Sequence, residues 1–170
     1  MLIDHAAARL NPTKHTLVVL VENKPGVLNR VASLFRRRSF NIDSLTVGET
    51  DDPTVSRMTI VVDASKTSAA MVERNLLKAV PVIDVQDITN SPMVARELAL
   101  IKVKAENSGQ RAEIKNVVDM FQARVEDVSK DSVVIEITGE EPKIDSLLKV
   151  LAEYTVLEVV RTGRVAKARG

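Results

Sequence analysis

The stretch His15–Phe35, HTLVVLVENKPGVLNRVASLF, decides the fold because its hydrophobic period changes across a Pro-Gly turn. Its first part, His15–Glu22, carries aliphatic side chains on both faces, which is typical of a buried central strand. Residues 23–26, Asn-Lys-Pro-Gly, are a turn signal. Apolar side chains then recur at helical spacing, at Val27, Leu28, Val31, Leu34 and Phe35. The stretch therefore predicts a strand that leads through a tight turn into a helix.

The alternation of strand and helix patterns continues to residue 90. Two strands are predicted over Ile42–Thr50 and Val55–Asp63, separated by the break Asp51-Asp52-Pro53. A helix over Thr67–Lys78 and a strand over Val82–Ile88 complete the unit. The predicted order is therefore β-α-β-β-α-β, as in ferredoxin-like domains.

The same order repeats after Asn90-Ser91-Pro92, which we interpret as a domain boundary. The predicted elements of this second half are a strand over Leu98–Ala105, a helix capped by Ser108, a hairpin of Val125–Val128 and Ser132–Thr138, a helix from Pro142 and a strand over Val156–Arg161. The predicted class is α+β, with two ferredoxin-like domains in tandem over residues 15–90 and 91–170. Residues 1–14 are predicted to be a flexible leader, and the terminal RVAKARG a loose tail.

Composition excludes several classes of function. Among 170 residues, 24 Lys and Arg balance 23 Asp and Glu, and aromatic side chains make up 2%. Neither a nucleic-acid partner nor a base-stacking surface is therefore expected. No apolar run approaches the ~20 residues of a membrane-spanning helix, so no membrane partner is expected. The chain has no cysteine and only two histidines, His5 and His15. We therefore expect no thiol nucleophile, no serine triad and no metal site in this chain.

The turn between the first strand and helix is the best candidate binding site. Gly26 has no side chain, so a ligand can approach the backbone there. The first N–H groups of a helix have no internal partners and attract a carboxylate. Asn23 adds an amide donor and an acceptor. The alternative is an ordinary tight turn with proline and glycine, which the spacing alone favours.

Residues 39–45, SFNIDSL, enter the second strand, which is commonly at the edge of a βαββαβ sheet. Asn41 is then expected near the tip of the sheet. The alternative is a helix-exit residue without a binding role.

Several segments together resemble the regulatory (small) subunits of acetolactate synthase, also called acetohydroxyacid synthase. They are ENKPGVLNRVASLF, FNIDSLTVGETDDPTVSRMTI, RELALIKVKA, FQARVEDVS and VVRTGRVA, in this order. The resemblance covers about Lys14–Ala168, and its first half resembles an ACT domain. It departs at Ser39, where many relatives have glycine, and serine is unfavourable there if φ is positive.

This resemblance implies a non-catalytic subunit that binds and stimulates a large catalytic subunit in branched-chain amino acid biosynthesis. The catalytic subunit is expected to use thiamine diphosphate, Mg and FAD, whereas no cofactor is expected in this chain. The complex is expected to be cytoplasmic. The small subunit is expected to be at least a homodimer and to confer feedback inhibition by L-valine. The effector-binding residues implied are Asn23, Pro25, Gly26, Val27 and Leu28 of one chain, with Asn41 and Ile42 of the other.

Two other functions remain open. One is a stand-alone amino-acid-sensing ACT protein that regulates a different enzyme. The other is a small ferredoxin-like enzyme such as an acylphosphatase. That enzyme would need an arginine in a phosphate-binding first loop, whereas this loop has Lys24 followed by Pro25, which lacks an N–H.

Overall fold

A computed structural model describes residues 13–65 and 68–170. Most of the predicted leader, residues 1–12, and the predicted start of the second helix at Thr67 lie outside the described residues. The described chain forms two units: residues up to Val94 together with Arg164–Gly170, and Ala95–Gly163. The predicted boundary stood at residue 90, and the prediction placed residues 164–170 in the second domain.

The first unit has the predicted order of elements. These are β1 (Lys14–Glu22), α1 (Val27–Arg37), β2 (Asn41–Glu49), β3 (Val55–Asp63), α2 (Ala69–Leu77) and β4 (Val82–Asp87). The strands form one sheet in the order β2-β3-β1-β4. One sheet face packs with both helices in a core of aliphatic residues and Phe35. The α+β ferredoxin-like prediction is therefore confirmed for this unit.

The strand register places the ends of β1 and β2 relative to each other. Both strands run antiparallel to β3, so they are parallel to each other. Lys14 and Asn41, their first residues, both oppose Asp63. The last residues, Glu22 and Glu49, therefore lie together at the other end of the sheet. β2 is at the edge of the sheet, as predicted.

The second unit repeats the order with its own core. Its elements are β5 (Met93–Lys104), α3 (Ser108–Met120), β6 (Arg124–Val128), β7 (Ser132–Gly139), α4 (Glu141–Leu151) and β8 (Val156–Arg161). The sheet order is β6-β7-β5-β8. The strand β5 begins at Met93 rather than at the predicted Leu98. Asn107, not Ser108, caps α3: its Oδ1 accepts a hydrogen bond of 2.9 Å from the Gln110 N–H.

The prediction of a loose C-terminal tail is wrong. Residues Val165–Ala168 form a strand, β9, that pairs with β5. Arg164 and Ala166 are buried, whereas Val165 and Lys167 are exposed. This alternation is the period of a strand with one buried face. The segment is short and basic, so its sequence alone does not distinguish a strand from a solvated terminus.

No helix in the described ranges is long and apolar enough to span a bilayer. Among the same residues, no group of His, Asp and Glu side chains could hold a metal ion.

Candidate functional site

The turn after β1 is anchored by backbone hydrogen bonds on both sides. The Glu22 N–H donates to the Pro81 oxygen (2.9 Å), and the Asn23 N–H donates to the Thr54 oxygen (2.7 Å). Gly26, at the N-cap of α1, has φ 83° and ψ −5°, in the left-handed region. A Cβ atom at Gly26 would meet nothing within 4 Å. The backbone conformation, and not lack of space, therefore favours glycine there.

The N-terminus of α1 is suited to an anion. No side chain of the described residues caps it, and its first turn has no acidic residue, whereas its last turn has Arg36 and Arg37. The first-turn N–H groups lack intrahelical acceptors and carry the positive end of the helix dipole. With open space beside Gly26, this end can receive a carboxylate.

The Asn23 side chain is oriented by the hairpin between β2 and β3. Its Nδ2 donates to Glu49 Oε1 (3.1 Å) and to the Pro53 oxygen (2.9 Å). Its Oδ1 has no hydrogen-bond partner among the described residues. Asn23 can therefore accept a hydrogen bond from a ligand such as an ammonium group, while its donor is already used.

The other predicted residues of the turn differ in exposure. Val27 is 6% exposed and belongs to the core, so only its backbone can face a ligand. Leu28 is 45% exposed and offers an apolar surface beside the helix N-terminus. Pro25 is exposed as well.

Asn41 and Ile42 lie at the start of β2. Asn41 is exposed, and its Nδ2 donates to Asp43 Oδ1 (3.0 Å). The other Asp43 oxygen pairs with Lys14 Nζ (3.2 Å). Ile42 is half-buried against the core, just before a shift in register between Ile42 and Ser44.

The structure does not bring the two groups of predicted residues together within one chain. The turn lies beside Glu49, and Asn41 is at the opposite end of the same strand. At about 3.3 Å per residue, the nine residues of β2 separate them by roughly 26 Å. If they form one site, a second copy must supply one of the groups.

Two acidic residues that hold these amides were missed by the sequence reasoning. Glu49 orients Asn23, and Asp43 orients Asn41. Asp43 follows Asn41 by two residues on an exposed strand, and that spacing is the only sequence signal for the contact. Glu49 has no such signal, because its contact depends on how the hairpin folds against the turn.

Asp52, in the predicted break between β2 and β3, belongs to a turn. Its Oδ1 accepts hydrogen bonds from the Thr54 hydroxyl (2.6 Å) and the Thr54 N–H (2.8 Å). These bonds lower the pKa of the Asp52 carboxyl from its usual range. An ionised, hydrogen-bonded carboxylate in an exposed turn shapes the hairpin that holds Asn23.

Comparisons with known proteins identify both halves of the chain. Residues 17–84 match the family model of the AHAS small subunit-like ACT domain, and residues 96–170 match that of the small subunit of acetolactate synthase. A probable acetolactate synthase small subunit of Archaeoglobus fulgidus is 50% identical over 157 residues, or 92% of this chain and 98% of the relative. The small subunit of Mycobacterium leprae is 51% identical, over 92% of each chain.

A solved structure agrees over the same length. The crystal structure of the acetolactate synthase small subunit from Thermotoga maritima matches 92% of this chain and 98% of its own, with a TM-score of 0.82 and 39% identity. Sequence and structure are therefore similar over nearly the whole chain. The chain belongs to the family of acetolactate synthase small subunits.

Proposed function

We propose that this chain is the regulatory subunit of an acetolactate synthase, which stimulates a large catalytic subunit and makes it sensitive to L-valine or another branched-chain amino acid. The supporting observation is the uncapped N-terminus of α1 behind the left-handed Gly26, in a chain of the small-subunit family. This end offers a free amino acid a place for its carboxylate.

Each part of the effector has a counterpart in the predicted residues. The carboxylate would accept hydrogen bonds from the N–H groups of Leu28 and Asn29, since the Val27 N–H already donates to the Lys24 oxygen (3.3 Å). The ammonium group would donate to the Oδ1 atoms of Asn23 and Asn41, whose Nδ2 groups are engaged elsewhere. The branched side chain would pack on Leu28 and Ile42, and each methyl-sized contact contributes roughly 1–3 kcal/mol to selectivity.

The site we propose is completed by a second copy of the chain. In one chain the turn and Asn41 are at opposite ends of β2, which is an edge strand. Edge strands carry unpaired backbone groups, so two such edges can pair around a two-fold axis. If the two β2 strands run antiparallel, the turn of one chain lies near the partner's Asn41. We therefore propose a homodimer as the smallest sensing unit.

The chemistry of acetolactate formation is assigned to the catalytic partner. Thiamine diphosphate, Mg and FAD are proposed as cofactors of that partner, and none is proposed for this chain. Effector binding would favour one packing of the two ACT domains, and the catalytic subunit would respond to that packing with a coupling of about 1–3 kcal/mol. The complex is proposed to be cytoplasmic.

The variants Gly26→Asp and Asn41→Ala test the site. A carboxylate fixed at residue 26 would occupy the place of the ligand's carboxylate, so we expect valine binding and valine inhibition to be lost. Stimulation of the catalytic subunit should stay near its normal level. Calorimetric titration with L-valine, L-leucine and L-isoleucine measures binding, and acetolactate formation by the reconstituted complex measures inhibition.

Ala32→Asp is the matched control, since it adds the same charge at an exposed position of α1, away from its N-terminus. It should keep full valine sensitivity. Retained inhibition in Gly26→Asp would contradict the site. A chain that neither binds nor stimulates a thiamine-diphosphate enzyme would contradict the function, and would favour a stand-alone amino-acid sensor.

A further inference from the structure

We propose that Arg164 is a positioning residue for the effector site, because the C-terminal strap (Arg164–Ala168) clamps the edge strand β2 from the sheet face opposite the helices. The inference rests on the proposed function of that site. It assigns a role in effector binding to a segment that is distant in sequence from Asn41.

The strap lies on the second face of the first sheet. Leu45 of β2 packs on the helix side, so its neighbours Ser44 and Thr46 point to the other face. Thr16 of β1 points there too, because the adjacent Leu17 is in the core. This face is closed to solvent at its centre, where Thr16 is 1% exposed and Arg164 is 5% exposed.

Arg164 joins two strands of this sheet. Its backbone N–H donates to Ser44 Oγ (3.3 Å), and its carbonyl oxygen accepts from Thr46 Oγ1 (3.1 Å). Its side chain reaches β1, where Nη1 donates to Thr16 Oγ1 (2.9 Å). A charged donor buried with its acceptor contributes more than a neutral hydrogen bond. Arg164 therefore holds β2 in place relative to β1.

A second contact secures the strap further along. Arg57 of β3 donates through Nη2 to the Ala166 oxygen (2.5 Å), and through Nη1 to Thr59 Oγ1 (3.1 Å). Ala166 is 1% exposed. The strap thus contacts β1, β2 and β3.

The strap contacts the part of β2 where its pairing with β3 is irregular. Among the strands that the structure describes, β2 pairs with β3 alone in its sheet, and its register with β3 shifts between Ile42 and Ser44. Such a bulge leaves one residue unpaired and weakens the ladder locally. The strap bonds Ser44, the first residue after the shift. A slip of one residue in the register of a strand turns its side chains to the other face of the sheet. The bonds to Ser44 and Thr46 oppose such a slip. They therefore also keep the Ile42 side chain on the helix side of the sheet, where we propose that it contacts the effector.

Full-length Arg164→Met tests this role, with Arg164→Lys as the conservative variant. Arg169→Met is the matched control, because Arg169 is exposed and lies in the same terminal segment. Hydrogen–deuterium exchange of the peptide covering residues 41–46 reports on β2 without any ligand. Calorimetric titration with L-valine, on the chain and on its complex with the catalytic subunit, reports on the effector site.

In Arg164→Met we expect amides of residues 41–46 to exchange about tenfold faster, and the valine Kd to rise by about tenfold. Arg164→Lys should recover part of both losses, since it keeps a cationic donor. Arg169→Met should match the wild type. A general loss of stability would instead speed exchange in α2 and β4 equally, and would overturn the specific role of Arg164.

The two proposals fail in different ways. If the wild type binds valine and Arg164→Met binds it equally well, Arg164 has no role in the effector site, but the proposed function stands. If exchange in residues 41–46 is unchanged in Arg164→Met, the claim that Arg164 stabilises the start of β2 is wrong. If the wild type binds no branched-chain amino acid, alone or in the complex, the sensing function fails and the role of Arg164 in it fails too.

Discussion

At the residue scale, two non-glycine residues hold corresponding left-handed positions in the two units. Ser39 has φ 54° and Gln122 has φ 53°. Each follows the first helix of its unit, and the hydrogen bonds around each form a Schellman motif. The Phe40 N–H donates to the Phe35 oxygen (3.0 Å), and the Ala123 N–H donates to the Val118 oxygen (2.9 Å). The backbone of the two turns is therefore similar although their sequences differ, and the internal repeat extends to this detail.

Ser39→Gly should stabilise the chain. A left-handed conformation is unfavourable for residues with a Cβ by roughly 1–2 kcal/mol, and glycine loses part of this gain through greater freedom in the unfolded state. We expect a gain of about 0.5–1 kcal/mol in the free energy of unfolding, measured in urea. Ala32→Gly, in the exposed middle of α1, should instead cost about 1 kcal/mol. A loss of stability in Ser39→Gly would contradict the strain assigned to this turn.

At the element scale, a polar cluster fastens the start of β1 to the end of β4. The Asp87 carboxylate accepts from His15 Nδ1 (2.9 Å) and from the Thr89 hydroxyl (2.5 Å) and N–H (3.0 Å). Thr89 Oγ1 in turn accepts from the Thr16 N–H (2.8 Å). Partial burial raises the pKa of Asp87, but the hydrogen bonds from Thr89 and His15 outweigh it, so the pKa of Asp87 is lowered.

The stabilising effect of Asp87 should depend on pH in a defined direction. Since the pKa is lower in the folded state than its usual 3.8, the ionised form stabilises the fold above that pH. The contribution is lost as the pH falls through the folded-state pKa. Asp87→Asn should cost about 1 kcal/mol at pH 6.5, an amount that allows for partial exposure, and less at pH 3, which is below the unfolded value of 3.8. Urea unfolding at both pH values measures the difference.

Asp51→Asn serves as the control for this pH dependence, since Asp51 is exposed in a turn of the same unit. It should change stability little at either pH. An equal cost of Asp87→Asn at pH 6.5 and pH 3 would show that the ionised carboxylate does not stabilise the cluster.

At the scale of the whole molecule, each unit has its own aliphatic core, and the chain returns to the first unit after completing the second. The first unit therefore consists of two segments that are separated in sequence. The proposed effector site is divided as well, between two copies of the chain, because its two groups of residues are at opposite ends of β2.

A mixture of two inactive variants tests the division between chains. In a mixed dimer of Gly26→Asp and Asn41→Ala, one site has both lesions and the other has neither. Random assembly of equal amounts makes about half of the dimers mixed, so about one quarter of the wild-type valine sites should return. Calorimetric stoichiometry after co-refolding measures this fraction. If dimers form in the mixture but do not bind valine, the two residues do not form a site between chains. They then either belong to one site within a single chain or do not contact the effector.

Much of the fold was predictable, because the signals for it are local. Apolar periodicity located nearly every strand and helix of both units, and Pro-Gly at residues 25–26 located the entry to α1. One feature of the candidate site was predictable for the same reason: Asn41 starts an edge strand, as the βαββαβ order indicates. The left-handed conformation of Gly26 was not predicted. Ser39 has the positive φ at which serine in place of glycine is unfavourable, so the condition stated from the sequence is met.

The sequence by itself thus determined the repeat, the order of elements and the residues of the two candidate segments. Only the tertiary structure decided which amide atoms are occupied, that the segments are at opposite ends of a strand, and that residues 164–168 contact the second face of the first sheet. The reason is physical: the Asn23–Glu49 and Arg164–Thr16 contacts join residues 26 and 148 positions apart. A hydrogen bond between distant residues depends on how the elements pack, whereas periodicity reports only which side of each element is buried.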